Sequence, residues 1–269
     1  MITSILAILA AGGVFSASHY GADISTGWSV TLGIVTFIAI QIGVSLFLRK
    51  KIMAAMEAVQ LIMVNGQKQL QQKVQRWQMR PPSSLQAAQR EIFEDTKVFV
   101  REALAETNRL DAFRLWVPMI AKQKATAQLQ LNWMIKDFKK VDELMPKALL
   151  IDPTTIAMKL ARMQMLDKPL DEMTKVYEKG VRRLKYNQNV LLAATYSWIL
   201  VKRNELDLAF KALTEALKSS DNAQLKANHQ ALMNNRPAHF TNSGIGDQWY
   251  SLYLEEPKVH HQRQRPMYR

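Results

Sequence analysis

Cysteine is absent from this chain of 269 residues, and glycine and proline are scarce, at ten and nine residues. The lack of cysteine excludes disulfides, thiolate metal sites and cysteine nucleophiles. Few helix breakers, together with abundant Ala, Leu, Lys, Gln and Met, are typical of an all-α protein. Apolar residues make up 48% of the chain, which is enough for a packed core in one large domain or two small ones.

Positive charge is missing from the first 48 residues. All 36 Lys and Arg residues lie at or after Arg49, and Asp23 is the only one of the 23 acids that precedes it. The rest of the chain is therefore strongly basic, and such a surface favours anionic partners: lipid headgroups, nucleic acid or an acidic protein. Solubility and a position near a membrane are the simplest explanation of this charge.

Two apolar runs lie in the uncharged region, and they predict a membrane anchor over residues 1–48. The second run, from Trp28 to Leu48, has 21 residues, and about 20 apolar residues cross a bilayer core. It begins with an interfacial tryptophan and meets the basic run 49–51, and basic flanks stay in the cytoplasm. We therefore expect membrane lipid as the partner of the anchor, and the rest of the chain in the cytoplasm.

The first apolar run, from Ile2 to about Ala17, permits two interpretations. It is either a short transmembrane helix that forms a hairpin with the second run, or a cleaved signal peptide, because small residues surround positions 16–18. A signal peptide carries a basic segment at its start, and this run has none, so the hairpin is favoured. Both interpretations leave the rest of the chain on the cytoplasmic side.

Residues 49–82 predict an amphipathic juxtamembrane helix that ends at a proline break. Asn65-Gly66 interrupts its pattern and indicates the end of one helix and the start of another. The stripe resembles a heptad seam, so self-association through residues 49–79 is one interpretation, and a helix lying on the body or on the membrane is the simpler one. Its apolar residues recur at gaps of three and four: Ile52, Met56, Val59, Met63, Leu70, Val74 and Trp77.

Residues 83–121 predict a leading helical pair. Ser83 and Ser84 are candidate N-caps, with Gln86 as a capping-box partner of the first. A turn near Thr107 leads to a second helical piece that Pro118 bends or ends.

Residues 122–222 repeat a pattern at offsets of 32 and 36 residues. Three segments, which start at Lys136, Lys168 and Asn204, align, and each follows an apolar stretch that predicts a partner helix. The aligned positions are Phe138, Leu170 and Leu206; then Val141, Met173 and Ala209; then the small residues Ala148, Gly180 and Ala216. A period near 34 residues built from two helices is typical of tetratricopeptide repeats.

The region therefore resembles three tetratricopeptide repeats (TPRs). The tryptophan and glycine usual in the first helix are missing, and Leu129, Ala161 and Ser197 stand where that glycine is usual. Two apolar segments followed by such repeats also resemble the layout of HemY-type inner-membrane proteins. The predicted fold is all-α: an N-terminal transmembrane helical hairpin followed by a TPR-like α-solenoid, whose helix pairs share a continuous core.

The resemblance implies a partner-binding groove, because the first helix of each repeat lines the concave face in this family. A helix or an extended segment of an unknown protein partner is the expected occupant. The alternative is that the two tryptophans of this face, Trp133 and Trp198, are core residues between stacked helix pairs. Carried onto this sequence, the groove residues are Gln130, Trp133, Arg162, Met165, Trp198 and Val201.

Residues 223–257 predict a C-terminal capping helix from about Ala223, followed by an aromatic segment with a short helix from Asp247. Residues 258–269 predict a basic, disordered tail. Contact of this tail with lipid or RNA is the alternative to a solvated tail.

The sequence offers little that points to catalysis. The five histidines form neither an HExxH motif nor an i, i+4 pair with a nearby acid, and no GxxxxGK[ST] or GxSxG motif occurs. We predict no catalytic residue, no cofactor and no metal site.

The predicted function is that of a membrane-anchored scaffold that gathers proteins at the cytoplasmic face of a bacterial inner membrane. The alternative is a basic, membrane-tethered module that binds nucleic acid or ribosomes, for which binding falls steeply with salt. Basic pairs such as 139–140 and 182–183 are spread along the chain with acids between them, which favours the scaffold.

Overall fold

The computed structural model describes residues 2–22 and 24–257, and these residues form helices and turns without a strand. The prediction of an all-α protein is confirmed. The chain divides into two compact units, Met1–Leu149 and Leu150–Arg269. The predicted basic tail lies outside the described residues.

The first unit begins with two long apolar helices. Helix α1 spans Ile2–Ser16 and continues as a π-helical turn over Ala17–Gly21. Helix α2 spans Thr26–Trp77 and has 52 residues. Both are long and apolar enough to cross a membrane, in agreement with the two runs predicted from the sequence.

Helices α1 and α2 lie antiparallel and pack through small residues. The Gln41 Nε2 donates to the Ser4 Oγ at 3.3 Å, whereas nearer the turn Gly33 packs against Ala11. A Cβ on Gly33 would lie only 3.3 Å from the Ala11 carbonyl oxygen, so the two backbones approach closely. The large apolar side chains point away from this contact and are exposed, among them Ile5, Leu6, Ile8, Leu9, Ile34, Val35, Ile38, Ile42, Leu46 and Phe47.

Helix α2 continues without a break through Asn65-Gly66, so the prediction that a helix ends there is wrong. Helix α3, Leu85–Glu106, crosses α2 at this point, and a Cβ on Gly66 would lie 2.3 Å from the Phe99 ring. The glycine therefore marks a close helix crossing, because only a residue without a side chain leaves room for the ring.

The remaining elements of the first unit differ in part from the predicted leading pair. The Ser84 Oγ caps α3 by accepting the Ala87 N–H at 3.1 Å. The second member of that pair is a 3₁₀-helix, Thr107–Phe113, and not an α-helix. Pro118 lies in the turn before α4, which spans Ile120–Met134, and α5 spans Phe138–Leu144.

The half of α2 that follows residues 49–51 is part of the first unit's core. Val59 is buried with Phe99 and Leu131, and Ile62, Met63 and Leu70 pack against this cluster. Most side chains of the predicted apolar stripe thus pack against other helices of the same chain. This agrees with the interpretation of a helix that lies on the body. Self-association through residues 49–79 would depend on the side chains that remain exposed there, such as Met56 and Val74.

Helix α5 is short because of Pro146, whose effect was not included in the predicted repeat. A proline there has no N–H to donate to the Asp142 carbonyl, and its ring clashes with that turn. The helix ends after seven residues. Ala148 then lies in a half-buried turn, whereas Gly180 and Ala216 are buried in helices, so the predicted equivalence of these three positions is wrong.

The second unit is a set of consecutive helices in which α8 is the most buried. Its helices are α6 (Pro153–Met165), α7 (Leu170–Val181), α8 (Val190–Lys202), α9 (Leu206–Leu217), α10 (Ala223–Met233) and α11 (Asp247–Tyr250). Helix α8 contacts both members of the preceding pair, α6 and α7, as well as α9 and α10. Gly180 permits the contact, because a Cβ there would lie 2.8 Å from the Leu192 side chain.

The first two of the three sets of aligned positions occupy equivalent places. Helices α5, α7 and α9 begin at Phe138, Leu170 and Leu206, and all three residues are half-buried. Three residues further on, Val141, Met173 and Ala209 are fully buried, at 0% exposure. The upstream stretches form α4, α6 and α8, as predicted.

The helix before each aligned segment ends in the same turn. Lys136, Asp167 and Asn204 follow α4, α6 and α8 with a positive φ of 56°, 48° and 61°. After each, a backbone N–H donates to a carbonyl five residues earlier, which is the hydrogen bond of a Schellman motif. Helix α10 ends in the same way at Asn235, with φ 54°, so it resembles the first helix of a further pair.

Candidate functional site

An apolar groove lies between α2 and α4 in the first unit. Its volume is about 480 Å³. We call it the methionine groove, since Met53, Met56, Met63 and Met134 line it together with Ala127 and Gln130.

The floor of the methionine groove is buried and its walls are partly open. Val59 and Leu131 form the floor and are 7% and 5% exposed, while Met53 and Met56 are 49% and 37% exposed. Methionine has a flexible, polarisable side chain that adapts to differently shaped partners. The arrangement therefore suits an apolar side chain or a helix face.

The methionine groove continues toward the apolar part of α2. A neighbouring depression shares Met53 and Glu57 with it and extends to Leu46, Arg49 and Lys50. This groove was not predictable from the sequence, since its walls belong to helices far apart in the chain. The cluster of methionines between positions 53 and 63 was the available signal.

The two predicted groove residues of the first unit, Gln130 and Trp133, lie in different environments. Gln130 is half-buried and lines the methionine groove. Trp133, in contrast, is 1% exposed and packs edge to face on Phe138, with ring centroids 5.4 Å apart. This tryptophan is a core residue, which is the alternative interpretation given above.

In the second unit, the chain's own C-terminal segment covers Trp198. The Trp198 indole donates to the Glu255 Oε1 at 2.7 Å, and the Trp249 indole donates to the Oε2 of the same carboxylate at 3.0 Å. The two indole rings meet edge to face at 5.7 Å. Trp198 is therefore also interior, while Arg162, Met165 and Val201 remain half-buried.

A buried asparagine pair holds the C-terminal segment on the helices. The Asn228 Nδ2 donates to the Asn242 Oδ1 at 2.9 Å, and the Asn242 Nδ2 donates to the Ala194 carbonyl at 3.0 Å. Both asparagines are fully buried, and buried amides need such partners. The aromatic residues of this segment are conspicuous in the sequence, whereas nothing in the sequence distinguishes the two asparagines.

The titrating groups with shifted pKa values have structural partners. Burial raises the pKa of Tyr177, which stacks on Tyr196 at 4.1 Å. Burial also raises the pKa of Tyr196, and its hydrogen bond with Thr174 opposes that change. Hydrogen bonds to Asp95 and Glu91 raise the pKa of Lys73.

Within residues 2–22 and 24–257, no group of three or more His, Asp or Glu side chains is arranged to hold a metal ion. Comparisons with protein-family models, with curated proteins and with solved structures found no match to this chain.

Proposed function

We propose that this protein is a membrane-anchored scaffold that holds a partner protein at the cytoplasmic face of the membrane. In this proposal residues 1–48 form a transmembrane helical hairpin, and the pairs α4/α5, α6/α7 and α8/α9 are TPR-like repeats. The methionine groove receives the partner, and the protein acts by binding and not by catalysis.

The continuity of α2 is the observation that carries this proposal. One helix of 52 residues contains both the exposed apolar run and the side chains at the core of the first unit. A helix has no flexible joint, so a partner in the methionine groove would be held at a fixed height above the bilayer. The groove begins within about 5 Å of the basic run 49–51, at 1.5 Å per residue.

The exposed surface of the apolar helices supports the membrane anchor. Each Å² of apolar surface left in water costs roughly 25 cal/mol, and side chains such as Leu9 and Leu46 are more than half exposed. Burial of these side chains in the hydrocarbon core of a bilayer removes this cost. Contact through small residues, as between Ala11 and Gly33, is typical of membrane helix pairs, and it supports a retained first helix over a cleaved signal peptide.

The chemistry of the methionine groove supports a helical partner. An amphipathic helix places apolar side chains at every third or fourth position into such a groove. Arg49 and Lys50 line the neighbouring depression, and they favour acidic residues on the partner at the membrane-proximal end. The proposed occupant is therefore an amphipathic helix of a membrane-associated protein with acids toward the bilayer.

Site-specific photo-crosslinking in native membranes tests this proposal. A photoreactive residue at Met56, in the methionine groove, is compared with one at Leu61, which is 60% exposed on the same helix outside the groove. We expect a discrete protein adduct from Met56 and none from Leu61. The adduct should survive nuclease treatment and disappear in a Met53→Lys variant, because a charge in the groove must be desolvated on binding.

Two results would contradict the scaffold. Equal crosslinking at both positions would mean that the methionine groove has no special affinity. An adduct that nuclease removes and that weakens steeply with salt would instead favour nucleic acid or ribosomes as the partner.

A further inference from the structure

We propose that residues 114–119 insert into the headgroup layer of the cytoplasmic leaflet as a second membrane contact. We call this segment, Arg-Leu-Trp-Val-Pro-Met, the membrane-proximal tip. It joins the 3₁₀-helix that ends at Phe113 to α4, which begins at Ile120. The inference rests on the proposed membrane anchor and adds a lipid-binding surface to it.

Helix α3 runs back along α2 toward the apolar end. Lys73 of α2 pairs with Glu91 at 2.6 Å and with Asp95. Further along α3, Phe99 covers Gly66 of α2. Later residues of α3 thus lie beside earlier residues of α2, and the chain approaches the proposed membrane as it leaves α3.

The chain then reverses direction and runs away from the proposed membrane along α4. The Lys124 Nζ donates to the Asp111 Oδ2 at 2.6 Å, and the Gln128 Nε2 donates to the Thr107 Oγ1 at 3.0 Å. Because later residues of α4 pair with earlier residues of the 3₁₀-helix, the reversal lies between Asp111 and Lys124. The membrane-proximal tip occupies the middle of this interval.

The packing beneath the tip places it next to the basic run of α2. Phe113 and Val117 pack on the cluster that contains Ala55, and Ile52 packs on the same cluster. Ile52 directly follows residues 49–51, which mark the cytoplasmic boundary of the bilayer in the proposed topology. The tip therefore lies within about one helical turn, ~5 Å, of that boundary.

The exposed side chains of the tip suit a membrane interface. Leu115 is 68% exposed and Met119 is 42% exposed, while Trp116 is half-buried. Tryptophan is enriched at the headgroup level, and apolar side chains gain by entering the acyl boundary. Arg114 is exposed beside them and is attracted to anionic headgroups.

Single-cysteine labelling tests this contact without interference, since the native chain has no cysteine. Leu115→Cys is the test variant. Val98→Cys is the matched control, because Val98 is also 68% exposed. It adjoins Phe99 at the level of Gly66, about 20 Å farther along α2 from the basic run. Ile38→Cys, which is 49% exposed in the apolar run, reports the anchor itself.

Each full-length variant carries an environment-sensitive NBD fluorophore and is placed in nanodiscs of phosphatidylcholine with phosphatidylglycerol. Spin-labelled lipids that quench at the headgroup or deep in the acyl chains report the depth of the fluorophore. We expect the fluorophore at position 115 to emit at shorter wavelength than the fluorophore at position 98. The headgroup spin label should quench it about twofold more strongly. Ile38 should be quenched by the deep label.

The outcomes separate this inference from the proposed function. If Leu115 matches Val98 while Ile38 is quenched by the deep label, the tip does not enter the membrane although the anchor does. If Ile38 also emits as in water, the proposed anchor fails and the membrane contact of the tip fails with it.

Discussion

Gly66 determines how closely α2 and α3 approach. A Cβ there would lie 2.3 Å from the Phe99 ring, so the ring or the helix must move to accept one. We expect Gly66→Ala to lower the free energy of unfolding by about 1–3 kcal/mol, the usual cost of overpacking a core. Urea unfolding of the purified protein in detergent micelles, followed by circular dichroism, measures this loss.

A matched glycine on the same helix provides the control. A Cβ on Gly43 meets nothing within 4 Å, so Gly43→Ala should cause no loss. The double variant Gly66→Ala with Phe99→Leu should recover part of the stability, since the smaller side chain leaves room for the methyl group. Equal effects of the two glycine substitutions would contradict the close crossing.

Glu255 holds the C-terminal segment through two indole N–H groups, at 2.7 Å and 3.0 Å. Glu255→Gln should weaken this attachment by about 1–3 kcal/mol, because a glutamine has one acceptor oxygen and leaves one indole without its acceptor. Hydrogen exchange of residues 247–257 should become faster. The neighbouring variant Glu256→Gln changes an exposed carboxylate and should leave the exchange unchanged.

At the scale of helices, local signals predicted most of the elements correctly. The existence of α5, α7 and α9 and of their upstream helices follows from apolar periodicity and from the aligned segments. The start of α3 follows from a serine cap, and α10 begins at Ala223, as the sequence predicted. Apolar periodicity and caps depend on residues a few positions apart, and the sequence displays such features directly.

Features set by tertiary contact were not predictable in the same way. Asn65-Gly66 has the sequence of a helix end, yet packing against Phe99 keeps α2 continuous. The burial of Trp198 depends on Glu255, 57 residues later, and the methionine groove depends on two helices separated in the chain. Pro146 is different, since its effect on α5 was visible in the sequence.

Two stacked tyrosines, Tyr177 of α7 and Tyr196 of α8, make the free energy of unfolding depend on pH in the alkaline range. Burial raises the pKa of Tyr177 and of Tyr196, so the folded protein keeps both phenols neutral above their usual range. An unfolded tyrosine ionises near pH 10. The stabilisation from these raised pKa values is complete below about pH 10 and is lost above it, because the unfolded chain then releases protons first.

We therefore expect the free energy of unfolding to fall between about pH 9 and pH 11, and the fall to be smaller in Tyr177→Phe. Tyr186→Phe, at a position that is 62% exposed, is the control and should keep the native pH dependence. Urea unfolding at the two pH values measures the difference. A Tyr177→Phe variant with the same pH dependence as the native chain would show that burial of this phenol is not the cause.

At the scale of the whole molecule, the account depends on α1 and α2 as a membrane hairpin from which the helical body extends. Tyr20 lies at the turn between the apolar helices and is 79% exposed, and Met79 follows the end of α2 and is 87% exposed. A hairpin with a cytoplasmic body places these two residues on opposite sides of the membrane.

Labelling of Tyr20→Cys and Met79→Cys with a membrane-impermeant maleimide in bacterial spheroplasts tests this claim most directly. We predict that Tyr20→Cys reacts in intact spheroplasts and that Met79→Cys reacts only after permeabilisation, with both chains in the membrane fraction at the full mass of 30.8 kDa. Recovery of the chain in the soluble fraction, or reaction of both positions from the same side, would contradict the account.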